Sequence, residues 1–500
     1  MKISKLYCLI LVLVTISVAG CKDFLEQSSQ DLVRPTTVSH YKELLQGEAY
    51  FKQFYRYGWF VDVMTDDILT HNGWYSLAES NEIYTSRQMS YVYQWAADIE
   101  ADPERFTDQL FKHLYKNILT ANTCLSALEN ETLSGTEQEV KTLKGQALFT
   151  RAYGYFVLAN LYAQAYNEAS PADLCVPLLT KAVPTLERAH RATIKEVWDL
   201  ISSDIEESIE FLATTPATSY YEINYEAALL LASRIFLYKE DYDKSIHYGE
   251  LFLSLHPALR DIRNESTAYR NDGSKNAFLA PSNPEIVFAF SDIDRRSNEG
   301  SYLYYQWKYY QYGGDIFTSV SNDLYGKYEA NDRRKWYWFL YGDWYWTFSD
   351  AVGKFSFDDG LRKTQVMRSG EVYLNLAEAY ARKSAPEMDK SIALLNTLRD
   401  NRIVDYTPLT ATNFSNQEAL VNFVLKERRL ELCFEEFHRW WDLRRTGQPS
   451  ISHVWAGEDP KVTYVLQEHD PAYILNFPKY EREYNPDLVP NPRPIRLPQD

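Results

Sequence analysis

Hydrophobic residues recur at helical spacing in several separate parts of this chain. Ala152, Tyr155, Ala159 and Tyr162 follow one another at steps of three and four, which places them on one face of a helix. Similar apolar stripes mark four parts of the sequence, each long enough for two or more helices. These predicted helical units cover about 106–166, 191–256, 366–403 and 416–445.

Within the helical units, small side chains alternate with large aromatic ones. Small residues let neighbouring helix backbones approach, and aromatic rings fill the spaces between them, as tetratricopeptide hairpins require. That repeat has a period of about 34 residues, whereas the units here are irregular and interrupted. The pattern alone therefore predicts stacked helical hairpins, with a non-repeating helical domain as the alternative.

Long aromatic stretches with turn signals such as Asn72-Gly73 and Gly313-Gly314 separate the helical units. They cover about 55–105 and 257–365. Long connections in a compact protein are usually functional or disordered, and such a high aromatic content argues against disorder. We predict that both are variable ligand-binding regions of a single body over 21–500, which ends in a C-terminal tail over 446–500.

The first residues are typical of a segment that is removed during export. Lys2 and Lys5 precede an apolar run over 6–18, and small residues stand directly before Cys21. This order is that of a secretory signal, and the run is shorter than the roughly 20 residues that span a bilayer. We therefore predict a lipoprotein signal peptide over 1–20, with Cys21 lipidated and holding the protein on a membrane.

Charge and cysteine content exclude some classes of protein. The chain has 52 basic and 69 acidic residues, a net charge of −17, and a strongly acidic protein is a poor match for nucleic acid. Cys8 lies in the predicted signal peptide and Cys21 is the predicted anchor, which leaves Cys124, Cys175 and Cys433 in the mature body. Three scattered thiols form neither a disulfide framework nor a zinc site, and we expect Cys124 and Cys433 to be buried in helices.

No catalytic motif is present in the sequence. It contains no zinc-binding H-E-x-x-H helix, no Gly-x-Ser-x-Gly elbow and no phosphate-binding glycine loop. Asp66-Asp67 is the best local candidate for a glycosidase-like carboxylate pair, although an exposed turn or helix cap is the favoured interpretation. No cofactor is indicated. Asp292, Asp294, Asp358 and Asp359 could bind a structural calcium ion, but exposed turn carboxylates are the favoured interpretation.

Tyrosine and tryptophan cluster in the second variable region, over 302–312 and 336–346. Alternation along strands would place about half of these rings on each face. An aromatic ring packs on the apolar C–H face of a sugar while its polar tip reaches a hydroxyl. The competing interpretation is a buried aromatic cluster, and we expect several rings of the set to face a ligand.

The last helical unit has a dense charge pattern. It contains Glu427-Arg428-Arg429-Leu430-Glu431-Leu432 and then the run from His438 to Arg445. Charges at helical spacing pair along a helix, as we expect for Arg439 with Asp442, and arginine suits partly buried carboxylates. We predict a structural ion network that joins the last helix to the body, rather than catalysis by Glu431, Glu435 or His438.

These motifs together resemble the SusD/RagB family of surface lipoproteins, and the resemblance covers nearly the whole chain. The matching elements are Cys21-Lys22-Asp23-Phe24-Leu25-Glu26, the helix over 145–162 with Arg151-Ala152-Tyr153, the segment 227–246, Glu427-Arg428-Arg429 with Glu431-Leu432, Arg439-Trp440-Trp441-Asp442-Leu443-Arg444, and the tail with Pro478, Asn485-Pro486 and Asn491-Pro492. The tail departs from the pattern by running on through 493–498.

The resemblance implies a mainly α-helical fold of four tetratricopeptide-like hairpins, with irregular aromatic loops and a little β structure forming the ligand face. It implies a lipid-anchored protein of the outer membrane, facing the cell exterior, that captures an oligosaccharide or polysaccharide and delivers it to a SusC-like TonB-dependent transporter. Catalysis would belong to other proteins.

The family's binding loops vary, so its ligand residues do not transfer directly to this sequence. We expect rings to stack on sugar and Asn72 to bond hydroxyl groups. The predicted ligand residues are Asn72, Trp74, Tyr75, Trp95, Tyr304, Trp307 and Trp338. Three alternatives stay open at this point: a RagB-like peptide binder, a hydrolase, and a scaffolding protein without a small ligand.

Overall fold

The computed structural model describes residues 35–71, 90–104, 106–166, 170–182, 188–215, 219–265, 278–280, 282–292, 317–339, 354, 363–455 and 461–497. The predicted signal peptide and Cys21 lie outside the described residues. So do Asn72, Trp74, Tyr75, Tyr304 and Trp307 of the predicted ligand site.

Helices form most of the described structure. The N-terminal part contains α1 (Val38–Glu48), α2 (Phe54–Gly58), α3 (Phe60–Val63), α4 (Leu110–Asn130), α5 (Glu137–Tyr162), α6 (Ile194–Leu212), α7 (Tyr225–Tyr238) and α8 (Tyr242–Leu255). The C-terminal part contains α9 (Asn322–Gly326), α10 (Arg333–Tyr337), α11 (Ser369–Arg382), α12 (Met388–Asp400), α13 (Gln417–Leu432), α14 (His438–Arg445) and α15 (Lys479–Tyr484). The predicted mainly α-helical fold is confirmed.

Local sequence fixes where the long helices begin. Thr136 accepts a hydrogen bond from the backbone N–H of Glu139, whose carboxylate accepts from the backbone of Thr136. Thr193 and Glu196 form the same reciprocal cap at the start of α6. Each cap satisfies backbone donors that the first helical turn leaves free.

The helices stack in chain order, as the alternation of small and large residues predicts. Each helix from α4 to α8 packs on the next one in the chain, and α8 then packs on α11. Helix α11 also packs on α12 and α13. Small residues stand where helices meet. A Cβ placed on Gly145 would lie 2.7 Å from Leu212, and one on Gly249 would lie 2.7 Å from Leu376. Glycine therefore sets the helix spacing at these crossings.

Four two-stranded antiparallel sheets connect the helical units within the described residues. β1 (Ile68–His71) pairs with β5 (Phe317–Val320), β2 (Leu174–Pro177) with β3 (Arg191–Thr193), β4 (Ile286–Asp292) with β6 (Lys363–Arg368), and β7 (Ile451–Trp455) with β8 (Val462–Leu466). The β1–β5 pair is the informative one, because it joins the two predicted variable regions.

Cys124, Cys175 and Cys433 are free and buried, as the scattered spacing indicates. Within the part of the chain that the structure describes, none of the helices combines the length and apolarity needed to cross a membrane.

The chain enters α4 through a buried carboxylate that is expected to affect stability. Asp108 accepts a hydrogen bond from the backbone N–H of Leu110 at 2.9 Å and one from the hydroxyl of Tyr162. Burial raises the pKa of Asp108 to about 7, and Glu100 adds to the effect.

We predict that Asp108→Asn removes part of the pH dependence of folding. The folded pKa lies above the unfolded value, so the folded wild type binds the extra proton and loses stability as the pH rises from about 4 to about 7. The amide keeps the acceptor oxygen without the charge. Urea unfolding across this range should give a flatter curve for Asp108→Asn than for wild type, whereas the exposed change Asp199→Asn should leave the wild-type slope.

Candidate functional site

The two variable regions meet at the β1–β5 pair. Ile68 pairs with Val320 and His71 pairs with Phe317. The stretch with Asn72, Trp74 and Tyr75 begins directly after His71, and the stretch with Tyr304 and Trp307 ends before Phe317. Two segments far apart in sequence therefore leave the described body at one strand end, which is the candidate functional site.

The base of this strand pair is bonded to the C-terminal helices. Ser321 donates from its backbone to Asp67 O and from its hydroxyl to Asp66 O, both at 2.7 Å. Arg429 of α13 donates to the carboxylate of Asp67 at 2.6 Å. Arg439 of α14 donates two bonds of 2.7 Å to the carboxylate of Asp66.

These bonds correct the expected pairing of Arg439 with Asp442 and show the role of Asp66 and Asp67. Arg439 binds Asp66 rather than pairing along its helix with Asp442, whose partners include Arg428 and Arg445. Asp66 and Asp67 are each engaged by arginine and Asp67 is buried, so they form structural ion pairs rather than the exposed turn or helix cap that we expected. Burial opposes ionisation of Asp66, but Arg439 outweighs it and holds the pKa of Asp66 to about 2.

Glu431 is the centre of a buried network beneath this junction. Its carboxylate accepts from Arg334 at 3.0 Å, from Arg368 at 2.7 Å and from Arg402 at 2.9 Å. All four side chains are essentially inaccessible to solvent. Burial alone would raise the pKa of Glu431, but the three guanidinium groups reverse the direction and hold it well below its usual range.

The network extends outward through neighbouring carboxylates. Arg368 also donates to Glu285 and Glu435, both at 2.8 Å. Lys354 donates to the backbone oxygens of Glu431 and Cys433 at 2.7 and 2.9 Å. The predicted ion network is therefore present. Glu431 and Glu435 are fully engaged in it, which leaves neither carboxylate positioned against a substrate.

Arg334 connects this network to the surface through α10. Its guanidinium is fully buried against Glu431 and Asp332, and Tyr337 of the same short helix is also buried. Trp336 lies between them in sequence and is 42% exposed. The other tryptophans in the described segments are buried. The ammonium of Lys335 lies 5.9 Å from the centroid of the Trp336 ring.

The structure also corrects the placement of two predicted ligand residues. Trp95 is fully buried, donates from its indole N–H to Met64 O at 2.9 Å and stacks on the ring of His453 at 4.0 Å between centroids. Trp338 is fully buried beneath the Lys354 ammonium, 4.0 Å from the ring centroid. Neither ring presents a face to a ligand, because surrounding side chains enclose both.

Trp336 belongs to the predicted aromatic cluster but is absent from the predicted ligand residues. The cluster begins as the helix α10 rather than as a strand, so alternation does not decide which rings face outward. The sequence signal that could have identified Trp336 was helical spacing: Arg334, Tyr337 and Trp338 share one face of a helix, and Trp336 lies on the opposite side.

One buried cluster has the residue types of a metal site. Ligand atoms of Glu371, Glu436 and His438 lie within 4.8 Å of one another. Arg234, however, donates two bonds to each carboxylate, at 2.6 Å to Glu371 and 2.7 Å to Glu436. A guanidinium therefore already supplies the positive charge. Of the acidic loop residues, Asp292 lies exposed at the end of β4, and Asp294, Asp358 and Asp359 lie outside the described residues.

Two family profiles match most of the chain. Residues 23–237 match a profile described as SusD-like, starch-binding associating with outer membrane. Residues 285–494 match the profile of the SusD family, SusD_RagB. The second match contains the arginine and glutamate motif of α13 and α14.

Two curated relatives and several solved structures are similar to this chain. SusD-like protein P2 of Formosa agariphila is 22% identical over 445 residues, 78% of this chain and 81% of the relative. SusD-like protein P38 of the same organism is 25% identical over 391 residues, 69% of this chain and 74% of the relative.

Among solved structures, a SusD superfamily protein from Bacteroides vulgatus has a TM-score of 0.70 at 20% identity and covers 92% of this chain and 100% of its own. A putative sugar binding protein from the same organism has a TM-score of 0.69 at 22% identity, covering 92% and 99%. A SusD-like carbohydrate binding protein, also from B. vulgatus, has a TM-score of 0.66 at 19% identity, covering 91% and 98%. At these identities the structures establish a shared fold.

We predict that Glu431→Gln lowers the free energy of unfolding by about 3–5 kcal/mol, because removing one partner leaves buried charge uncompensated. The substitution keeps the shape of the side chain, so the loss measures charge rather than packing. Guanidinium chloride unfolding followed by tryptophan fluorescence gives the value. Asp199→Asn, which breaks the exposed pair with Lys195, should change little; an equally small effect for Glu431→Gln would contradict the central role of the network.

Proposed function

Because the chain belongs to the SusD family, we propose that it is a lipid-anchored outer-membrane protein that captures a glycan at the cell surface. It delivers the glycan, without cleaving it, to a SusC-like TonB-dependent transporter. Cys21 bears the anchor.

The β1–β5 junction is the observation on which the proposal chiefly depends. Asn72, Trp74 and Tyr75 follow directly on His71, which pairs with Phe317. The sequence before Phe317 is rich in tyrosine and tryptophan and includes Tyr304 and Trp307. Because both segments connect to the described body at this strand end, we propose that their rings contribute to a sugar-stacking surface.

Trp336 is a further candidate ring: its neighbour Lys335 lies 4.6 Å from the ring centroid of Tyr325, on the helix that follows β5. Its helix is fixed by the buried ion pairs of Arg334, so the backbone that carries the exposed indole is held in place. A backbone that is already ordered loses little conformational entropy when a sugar binds, which favours binding by an otherwise open site.

We predict that Trp336→Ala weakens glycan binding about fivefold to tenfold, which corresponds to roughly 1–1.4 kcal/mol of lost ring contact. The melting temperature should stay unchanged because the ring is exposed. The measurement is calorimetry with the polysaccharide that a glycan array selects for the protein lacking the signal and the anchor. Trp74→Ala is expected to behave in the same way.

Trp338→Ala is the matched control for this experiment. Loss of the buried ring should lower the free energy of unfolding by about 3–5 kcal/mol. The glycan affinity of the folded fraction should change little. Equal binding by wild type and Trp336→Ala would remove Trp336 from the site. Binding to a peptide pool tested alongside the glycans would indicate the alternative, a RagB-like peptide-binding protein. Release of reducing ends from bound glycan would indicate a hydrolase.

A further inference from the structure

The imidazole of His453 lies buried between two aromatic rings. His453 stands on the inner face of β7, in step with the buried Ile451 and Trp455. Its ring stacks on Tyr93 and on Trp95, each at 4.0 Å between centroids and within 22° of parallel. Two rings cannot both stack this closely on one face of an imidazole. The histidine is therefore enclosed from both faces.

Both ring nitrogens of His453 meet backbone carbonyl oxygens. Nδ1 lies 2.7 Å from Tyr93 O, and Nε2 lies 2.9 Å from Thr65 O. A carbonyl oxygen only accepts hydrogen bonds, whereas a neutral imidazole has one N–H group and one acceptor nitrogen. A neutral ring would therefore hold a lone pair against one of the two oxygens. The imidazolium form, with two N–H groups, donates to both.

The surroundings of His453 act on this charge in both directions. Burial is the largest influence on the pKa of His453 and lowers it to about 4, while the two carbonyl oxygens and the carboxylate of Asp66 raise it. The faces of two aromatic rings also attract a cation. Burial penalises a charge that has lost its partners, whereas this ring has an acceptor at each nitrogen and a ring on each face. The contacts therefore favour the charged form.

The ionisable groups of the neighbouring elements do not compete for this proton. These groups are Asp66, Tyr93, Arg439, Tyr464, Asp470 and Arg496. Arg439 binds Asp66, and Arg496, which lies 6.0 Å from the Trp95 ring, binds Asp470 at 2.9 Å. Burial raises the pKa of Tyr93, so its ring is neutral. The nearby carboxylates are therefore held as ion pairs.

The stack also holds a strained turn. Trp95 has a φ of 48°, in the left-handed region that residues other than glycine rarely adopt. Its indole N–H donates to Met64 O at 2.9 Å. A residue keeps such a backbone conformation only where its surroundings leave it no alternative. The ring of His453 and the bond to Met64 supply that constraint.

The two carbonyl oxygens belong to separate parts of the first variable region. Thr65 lies three residues before β1, and Tyr93 lies in the segment 90–96, which follows β1 in the chain. β7 also contacts β1 directly, where the Thr70 hydroxyl donates to Val454 O at 3.0 Å. His453 therefore fastens two described flanks of this region to one strand of the body.

From these contacts we propose that His453 is an imidazolium and acts as a positioning residue for the β1–β5 junction. The charge follows from the contacts of the ring alone, whereas its effect on ligand binding rests on the proposed function. Loss of the proton removes one of the two hydrogen bonds. The folded pKa then lies above the unfolded value of about 6.5, so this stabilisation is present below that pH and is lost as the pH rises through the folded pKa.

NMR tests the charge directly. The full-length lipoprotein, purified in detergent, is labelled with ¹⁵N in its nine histidines. Both ring nitrogens of His453 should carry a proton at pH 7, and the ring should titrate at least one pH unit above about 6.5. His453→Gln assigns the signal by its loss. If that variant does not fold, replacing the other histidines singly by glutamine assigns it by elimination. A neutral ring at pH 7 would overturn the proposal.

Hydrogen exchange tests the positioning role without a ligand. At pH 6, His453→Gln should exchange the amides of 65–71 and 90–96 at least tenfold faster than wild type. The difference should shrink as the pH rises and wild type loses its proton. Comparing both proteins at each pH cancels the intrinsic exchange rate. His247→Gln is the matched control, because His247 is exposed on α8, and it should match wild type. Equal exchange in His453→Gln and wild type would rule out the positioning role.

Glycan binding separates this inference from the proposed function. With the polysaccharide that a glycan array selects, the affinity of wild type and of His247→Gln should fall at least threefold between pH 6 and pH 9. His453→Gln should bind more weakly and without this pH dependence. The same pH dependence in His453→Gln would overturn the effect on binding. A wild type that binds no glycan but keeps a protonated His453 would overturn the proposed function and support the assigned charge.

Discussion

The buried pairing of arginine with carboxylate around Glu431 is the interaction on which the rest of this structure depends. Three guanidinium groups reach that carboxylate from α10, the end of β6 and the segment after α12. These elements belong to different helical units and to a variable region. A single charged centre therefore joins parts of the chain that are far apart in sequence.

Such a network is costly to assemble, because every charge loses its hydration on burial and regains stability only when all partners are in place. This property makes it selective for one arrangement. Apolar packing alone would tolerate shifts of α13 and α14 against the body. Bidentate bonds such as those from Arg439 to Asp66 tolerate far less displacement, since both oxygens must face the same planar group. We interpret the network as the device that fixes the base of the β1–β5 junction.

Local signals in the sequence were sufficient for the helices but not for the site. Helical periodicity and the caps at Thr136 and Thr193 operate within one or two turns, so the mainly α-helical fold could be predicted. Burial of Trp95 involves His453, which is remote in sequence, and Trp338 is covered by Lys354, which lies outside its own helix. Both residues were therefore misplaced on the ligand face. The pairing of β1 with β5 left no local signal. The motif around Glu431 was recognisable, whereas its partners Arg334, Arg368 and Arg402 were not.

The arrangement also separates the residues that fix the backbone from those that are exposed. Arg429 and Arg439 bind the carboxylates of Asp66 and Asp67, which come before the first variable segment leaves β1. Arg334 likewise fixes the inner side of α10 and leaves Trp336 free to face solvent. Residues that determine position are thus buried, and residues able to contact a ligand lie outside them. Substitutions in the outer set need not disturb the ion pairs, so the exposed residues can change while the fold stays constant.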